Sequence, residues 1–337
     1  MLEKNIIDNL NCDNFADDVL ASALAMRGEG QRQLFELARM RRHVCFPKNN
    51  VQVRSVIEVS NICRQGCRYC SIGGKSQTLN YSLSADVVAG LVEHLYNLGR
   101  RVILLQSGEN INQKFVDEMA KAISVIKEKH DDMKLILCMG SLKKTQYEQL
   151  RQAGAEAYIL KFEASNPKLF SYCRPNDVLE ARVENVHVLH DVGFEVGSGN
   201  IVGLPTQTVE DLVSDLKLVA ALPLAMNSAT IFSPAENSVF EHEPAGNPDT
   251  TLNFMALMRI MNPHRLMPTT SSLEKLIPDG QFLGLMAGAN TVTIHDGTPE
   301  EFQAHFPIYS TNRTRPQVEH FKEILNRAHL IPEQNLE

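Results

Sequence analysis

The chain has 337 residues, 43% of them hydrophobic, with a formal net charge of −7, enough to bury one large core or two modest ones. Its basic residues are dispersed within an acidic balance, which excludes the footprint of a nucleic-acid binder and points to a small-molecule partner. The first ten residues carry Glu3, Lys4 and Asp8 with no apolar block behind them, so we expect neither a signal peptide nor a membrane span, and a cytoplasmic protein.

Residues 1–50 read as a helical extension. From residue 51 onward, short Val- and Ile-rich runs alternate with amphipathic stretches, the pattern of repeated βα units around a parallel sheet. The predicted strands are 53–59, 102–106, 135–139, 157–162, 195–202, 228–232, 265–267 and 291–294. The predicted helices between them include 86–98, 112–129, 143–153, 177–192, 209–221 and 252–261, with Gly99, Gly154 and Gly193 at expected helix ends. Eight such units predict an α/β fold, a (β/α)8 TIM barrel over residues 51–337. An open doubly wound sheet is the alternative, but no Gly-x-Gly-x-x-Gly follows the first strand.

In a barrel the reactive residues gather at the carboxyl ends of the strands. Those ends here carry residues 60–76, Gln106-Ser107-Gly108-Glu109, Glu163-Ala164-Ser165 and Ser198-Gly199-Asn200. The first of them holds Cys63-Arg64-Gln65-Gly66-Cys67-Arg68-Tyr69-Cys70. Zinc would need a fourth donor and usually paired knuckles, and neither His43 nor His94 has paired spacing with this run. Three thiolates on a 4Fe-4S cluster instead leave one iron open to chelate an amino acid through its amine and carboxylate. S-adenosylmethionine (SAM) offers both groups, and an electron passed to its sulfonium would release methionine and a 5′-deoxyadenosyl radical. Tyr69 is placed to lie against the adenine. The other four cysteines, Cys12, Cys45, Cys138 and Cys173, are scattered, and each by itself reads as a small buried residue.

The Cys-x3-Cys-x2-Cys run with an aromatic before its last thiol resembles the radical SAM superfamily, whose members use a partial or full TIM barrel. Within it the chain is most similar to the group of the FeFe-hydrogenase maturase HydE, the methylornithine synthase PylB and biotin synthase, closest to HydE, over nearly its whole length. The phrases that carry the likeness are EVSNIC at 58–63, LQSGE at 105–109, AGAE at 153–156, VGLP at 202–205 and AGAN at 287–290. The resemblance implies that Cys63, Cys67 and Cys70 hold the cluster. It implies that Gln106, Ser107, Gly108 and Glu109 line the edge where the methionine amine sits, and that Glu163 binds the ribose hydroxyls or the amine. Arg182 becomes the partner of the methionine carboxylate, because a guanidinium grips it through two bonds. Gly199, Ile201 and Gly203 meet the adenine, and a flavodoxin- or ferredoxin-type protein supplies electrons.

Departures from the relatives fall in the substrate pocket. Where they carry Arg-His-Glu at the end of strand four, this chain has Lys161-Phe162-Glu163. Ala157 and Ile136 stand where an arginine and a threonine hold a substrate carboxylate, and Phe306-Pro307 replaces Tyr-Pro, with Tyr309 two residues on. The second-cluster positions of biotin synthases appear as Gln106, Ile136, Gly197 and about Pro268, none a thiolate. Cys138 and Cys173 are candidates for a second iron or iron-sulfur site near the radical, and Thr269, Thr270 and Ser271 offer hydroxyls to a substrate. The expected activity is HydE-like: radical attack on, or hydrogen abstraction from, a small sulfur-containing or amino-acid-derived molecule in metallocofactor assembly. The alternatives are biotin synthase-like sulfur insertion, a PylB-like amino-acid mutase, and a non-enzymatic iron-sulfur carrier.

Overall fold

The computed structural model describes residues 2–72, 79–306, 317–334 and 336. Strands β1 (Asn50–Ser60), β2 (Val102–Ser107), β3 (Lys134–Cys138), β4 (Ala157–Ile159), β5 (Glu195–Val202) and β6 (Met226–Ile231) pair side by side in that order. Every pairing is parallel, and β7 (Thr291–Ile294) returns to pair with β1. Such strands, covered on both faces, need near-continuous apolar runs, and β1 is buried from Val51 to Ser60.

The circle is closed by a segment with almost no ladder of its own. Leu266 bridges Met226 of β6 and Pro268 bridges Thr291 of β7. Asn227 donates to Leu266 O at 2.8 Å and Thr291 to Met267 O at 3.1 Å. The seventh predicted strand, 265–267, therefore occupies its expected place but is reduced to single-residue contacts. Pro268 has no N–H to extend the ladder, which accounts for its brevity. Closure on both sides makes the fold the predicted barrel rather than an open sheet. A two-residue β8 (Ile331–Pro332) adds to the start of β1 outside the ring.

Helices α1 (Leu2–Asn11), α2 (Asp17–Leu24) and α3 (Gly28–Cys45) precede the barrel. They are followed by α4 (Ala85–Asn97), α5 (Gln113–Lys129), α6 (Lys144–Gln152), α7 (Pro167–Cys173), α8 (Leu179–Asp191), α9 (Val209–Ala221) and α10 (Pro248–Met261). Gly99, Gly154 and Gly193 take φ of +82°, +117° and +95° after α4, α6 and α8, the left-handed turn that ends a helix and that a side chain would strain. Helix α7 was not legible in the periodicity because it spans only two turns. Its start is fixed by Asn166, whose side chain accepts from the Lys168 and Leu169 amides, and by Pro167 at the first position. After the closing segment come α11 (Ser271–Leu276), α12 (Gly280–Met286), α13 (Glu300–Gln303) and α14 (Val318–Arg327). Among the described residues no helix is long and apolar enough to cross a membrane.

Buried arginines fasten the seam. Arg259 on α10, 1% exposed, donates to Gly288 O (2.8 Å), Pro263 O and Arg265 O (both 2.7 Å) and Asn290 Oδ1 (2.9 Å). Arg265 gathers Val219 O and Leu222 O, and Arg42 of α3 takes Leu285 O and Ala289 O at 2.8 Å, binding the extension to the barrel. These carbonyls lie at helix ends and turns that lack repeating partners. Burial, with the like charge of Arg42 adding to it, pulls the Arg259 guanidinium down to about 9, still above physiological pH, so it stays charged. Arg259→Met leaves three carbonyls without a donor, so we expect a loss of about 3 kcal/mol in urea unfolding, read as a lower midpoint at unchanged slope.

Candidate active site

Strand register builds the barrel mouth in layers. Val56, Leu104, Ile136 and Ala157 align across β1 to β4 as one apolar row. One inward step toward the carboxyl ends, Glu58, Gln106 and Cys138 align in the same way. The absent carboxylate donors at Ile136 and Ala157 thus leave a dry patch, and the cation of this region stands above it. Lys161 Nζ donates to Thr230 Oγ1 at 3.1 Å and lies 3.2 Å from Glu163 Oε2. Glu163 adopts φ +69°, a conformation unfavourable for a side-chain-bearing residue, and is held there by bonds from its amide to Gly199 O (3.0 Å) and from Ile201 N to its carbonyl (2.9 Å). Gly199 is required because a Cβ there would meet Ser228 O at 1.7 Å. Glu163 Oε2 is buried and accepts no hydrogen bond.

The thiol loop follows β1 and is tied down along its length. The Asn61 side chain donates to Leu79 O and His305 O, both at 2.8 Å, and accepts from the Tyr81 amide. Arg64 N donates to Glu109 O and Arg68 N to Cys173 O. Gly108 must be glycine, since a Cβ would sit 2.5 Å from Ile62 O and 2.7 Å from Cys63 Cβ. Cys63 Sγ accepts from the Glu109 amide (3.3 Å) and Cys67 Sγ from Arg174 Nη1 (3.0 Å). Burial pushes the Cys67 thiol up, and Arg174 pulls it back. Cys70 closes the loop with its amide on Cys67 O.

Beneath the loop, buried charges alternate. Glu109 accepts from Gln65 Nε2 (2.7 Å) and the Ser141 amide (2.9 Å), with Arg182 Nη1 at 3.1 Å and Arg64 Nη2 at 2.9 Å. Burial alone raises its carboxyl, but Arg182, the Ser141 amide, Gln65 and Arg174 outweigh this and hold it below the usual carboxylate range. Asp177 lies 2.7 Å from Arg174 Nη2 and 3.2 Å from Arg182 Nη1. Arg174 also donates to the Tyr69 hydroxyl at 2.9 Å. Arg182 Nε is taken by Lys161 O at 2.6 Å and its Nη1 by Glu109, Asp177 and Ser141, so a two-bond grip on a ligand carboxylate would displace one of these partners.

The remaining predicted residues divide between the site and its supports. Tyr69 packs in one apolar cluster with Ile201, Cys173, Phe232 and Phe240. Gln106 is half-buried, and Ser107 Oγ donates to Gly108 O. Gly203 turns at φ +89°, where a Cβ would meet Gly246 Cα at 2.3 Å. Thr269 is buried with its hydroxyl on Gln281 O, and Thr270 pairs with Ser272, leaving Ser271 half-buried at the start of α11. Tyr309 lies outside the described residues. Cys138 and Cys173 sit in separate apolar clusters, and burial, with Glu163 adding to it, pushes their thiols up to about 11 and about 12. Arg174 and Asp177, missed in the sequence, stand in the Arg-Pro-Asn-Asp turn after α7, again in the strand-end zone.

The donor set suits a cubane cluster. Three soft thiols line a single loop, and among the described residues no trio of His, Cys, Asp and Glu gathers round one ion, whereas the ligands of a cubane serve three separate irons. The buried acceptors without hydrogen bonds, Glu163 Oε2 and Gln65 Oε1, are what the amine and hydroxyls of SAM would use.

A closed βα barrel with a three-thiol loop at the carboxyl end of its first strand defines the class. The Radical SAM superfamily model matches residues 57–219. The FeFe hydrogenase maturase subunit HydE of Thermotoga maritima is 30% identical over 92% of this chain and 88% of its own length. A biotin synthase of Lysinibacillus sphaericus is 26% identical over 81% of this chain and 84% of its own. The crystal structure of methylornithine synthase PylB superposes with a TM-score of 0.82 over 97% of both chains at 21% identity, a likeness of fold. The chain belongs to the radical SAM superfamily of enzymes, among relatives that include HydE and biotin synthase, and shares its fold with PylB.

Thiol reactivity follows from these surroundings. Cys12 and Cys45 are exposed, while Cys138 and Cys173 hold their protons far above neutrality. Native alkylation with iodoacetamide at pH 8, followed by peptide mass spectrometry, is expected to label the first pair and leave the second unmodified.

Proposed function

We propose that this enzyme cleaves SAM reductively at the thiol loop and directs the resulting carbon radical onto a small sulfur-containing or amino-acid-derived substrate, in a HydE-like step of metallocofactor maturation. The observation that carries this reading is the juxtaposition at the barrel mouth: Cys63 and Cys67 on the loop, Glu109 at the end of β2, and the inward Lys161–Glu163 pair opposite. When bound, the cluster supplies one electron and SAM the radical. The residues of the chain bind, orient and shield.

Cys63, Cys67 and Cys70 hold the cluster, and Arg174 places a positive charge against one of its thiolates. Glu163 offers its buried oxygen to the ribose or the amine of SAM, and Tyr69 and Ile201 offer an apolar wall to the adenine. Lys161, the inward cation above the apolar row, favours a substrate bearing a carboxylate or another anion. The row Val56, Leu104, Ile136 and Ala157 keeps water from below, which a primary carbon radical requires. The electron donor in this reading is a flavodoxin- or ferredoxin-type protein.

Anaerobic reconstitution with iron and sulfide tests the first half. Wild type should gain the broad visible absorbance of an iron-sulfur cluster and release 5′-deoxyadenosine with dithionite and SAM. Cys67→Ala should lose both. Substrate choice is decided by turnover: dependence on an iron-cysteine complex supports maturation, whereas dethiobiotin turnover moves the enzyme to sulfur insertion. A second metal at Cys138 and Cys173 would need both thiols deprotonated against their burial. The Cys138→Ala, Cys173→Ala double variant is therefore expected to keep the iron content of wild type, and a fall in iron per chain would establish a second site.

A further inference from the structure

We infer that Asp215, on α9 behind the barrel wall, is a positioning residue for SAM, setting the backbone of the two segments that carry Glu163 and Ile201. Asp215 is fully buried. Its Oδ1 accepts from the Ser165 amide at 2.7 Å, two residues beyond Glu163. Its Oδ2 accepts from Asn200 Nδ2 at 2.8 Å and Gln207 Nε2 at 3.2 Å. Asn200 is the residue that pairs with Glu163 across the sheet, and Ile201 follows it. Gln207 extends the grip, donating to Ile201 O at 3.0 Å and accepting from Gly203 N at 2.6 Å and Leu204 N at 3.2 Å. Three donors from both segments thus converge on one carboxylate.

A role in packing alone explains this poorly. A buried carboxylate without a cation is costly, and an apolar residue would anchor α9 to β5 at less expense. Asp215 is in that position: among the described residues no cation pairs with it, and burial lifts its carboxyl to about 6, with the like charge of Asp211 adding to the rise against the bonds from Ser165 and Asn200. What it maintains is the unfavourable φ of Glu163 and the turn at Gly203, conformations that persist only where the surroundings over-determine them.

The inference rests on the reading that SAM binds at this mouth, and the test separates the two. The reconstituted holoenzyme is reduced and titrated with SAM, with the change in the electron paramagnetic resonance spectrum of the cluster as the measure of binding. Thermal unfolding is followed in parallel. In Asp215→Asn one oxygen becomes an amide nitrogen, which faces either the Ser165 amide or the Asn200 and Gln207 donors and cannot accept from them. We expect iron content and the SAM-free spectrum to match wild type while half-saturation by SAM rises about tenfold. Unchanged half-saturation, whatever the melting temperature, overturns the inference. Should Asp215→Asn fail to fold, Gln207→Ala decides: it keeps the carboxylate but frees Ile201 and Gly203, and is expected to weaken SAM about threefold, with no change overturning the inference. A wild-type spectrum insensitive to SAM overturns the underlying reading together with the inference, whereas a responsive wild type with an equally responsive variant overturns the inference alone.

Discussion

The carboxylate of Glu109, buried among three arginines, is the constraint from which the rest of the site follows. A lone ionised carboxylate in that position would be too costly to bury, and it is tolerated because charge and hydrogen bonds meet it from several elements. Gln65 and Arg64 arrive from the thiol loop, the Ser141 amide from the turn after β3, and Arg182 from α8. Its own amide reaches Cys63 Sγ. One side chain therefore joins the loop that carries the thiols to three parts of the barrel. The glycines around it have the same origin: Gly140 must lack a Cβ because one would fall 2.3 Å from Glu109 Cγ.

Arg174 and Asp177 complete a set of three cations, counting Arg64, and two anions, so the site is stiffened and keeps one positive charge in excess beside the thiol loop. The asymmetry lies at the rim, where Arg174 touches Cys67 Sγ. A cluster bound through thiolates is anionic, and hydrogen bonds to its sulfurs are among the features that set its reduction potential. The same guanidinium orients the Tyr69 hydroxyl, coupling the electronic surroundings of the thiolate to the placement of the ring beside it.

Much of this was legible in the sequence because it depends on local chemistry. Runs of Val and Ile located β1, β2, β3 and β5, glycines located the ends of α4, α6 and α8, and the thiol spacing located the loop. Tertiary choices were not legible. Strand-end position put Glu109 and Glu163 at the mouth and the family resemblance added Arg182, but neither told us that Arg182 would face Glu109 and Asp177 while Lys161 took Glu163. Partner selection among like-charged residues depends on register and on side-chain reach that no spacing encodes. Arg174 escaped notice for the same reason, being an ordinary turn residue until α7 carries it beneath the loop. Thr269 was read as facing a substrate, yet its hydroxyl is on Gln281 O, because α12 packs against that side of the closing segment.

The closing segment has a consequence for how the molecule moves. Across β1 to β6 neighbouring strands share between two and six aligned residue pairs, whereas on either flank of residues 265–268 there is one. Local opening takes place where the fewest backbone bonds must break. The cylinder therefore has a built-in hinge line between β6 and β7, stapled from outside by Arg259 and Arg265 rather than by the sheet. Breathing along that line would part the cylinder only one strand, β7, away from the strand that leads into the thiol loop.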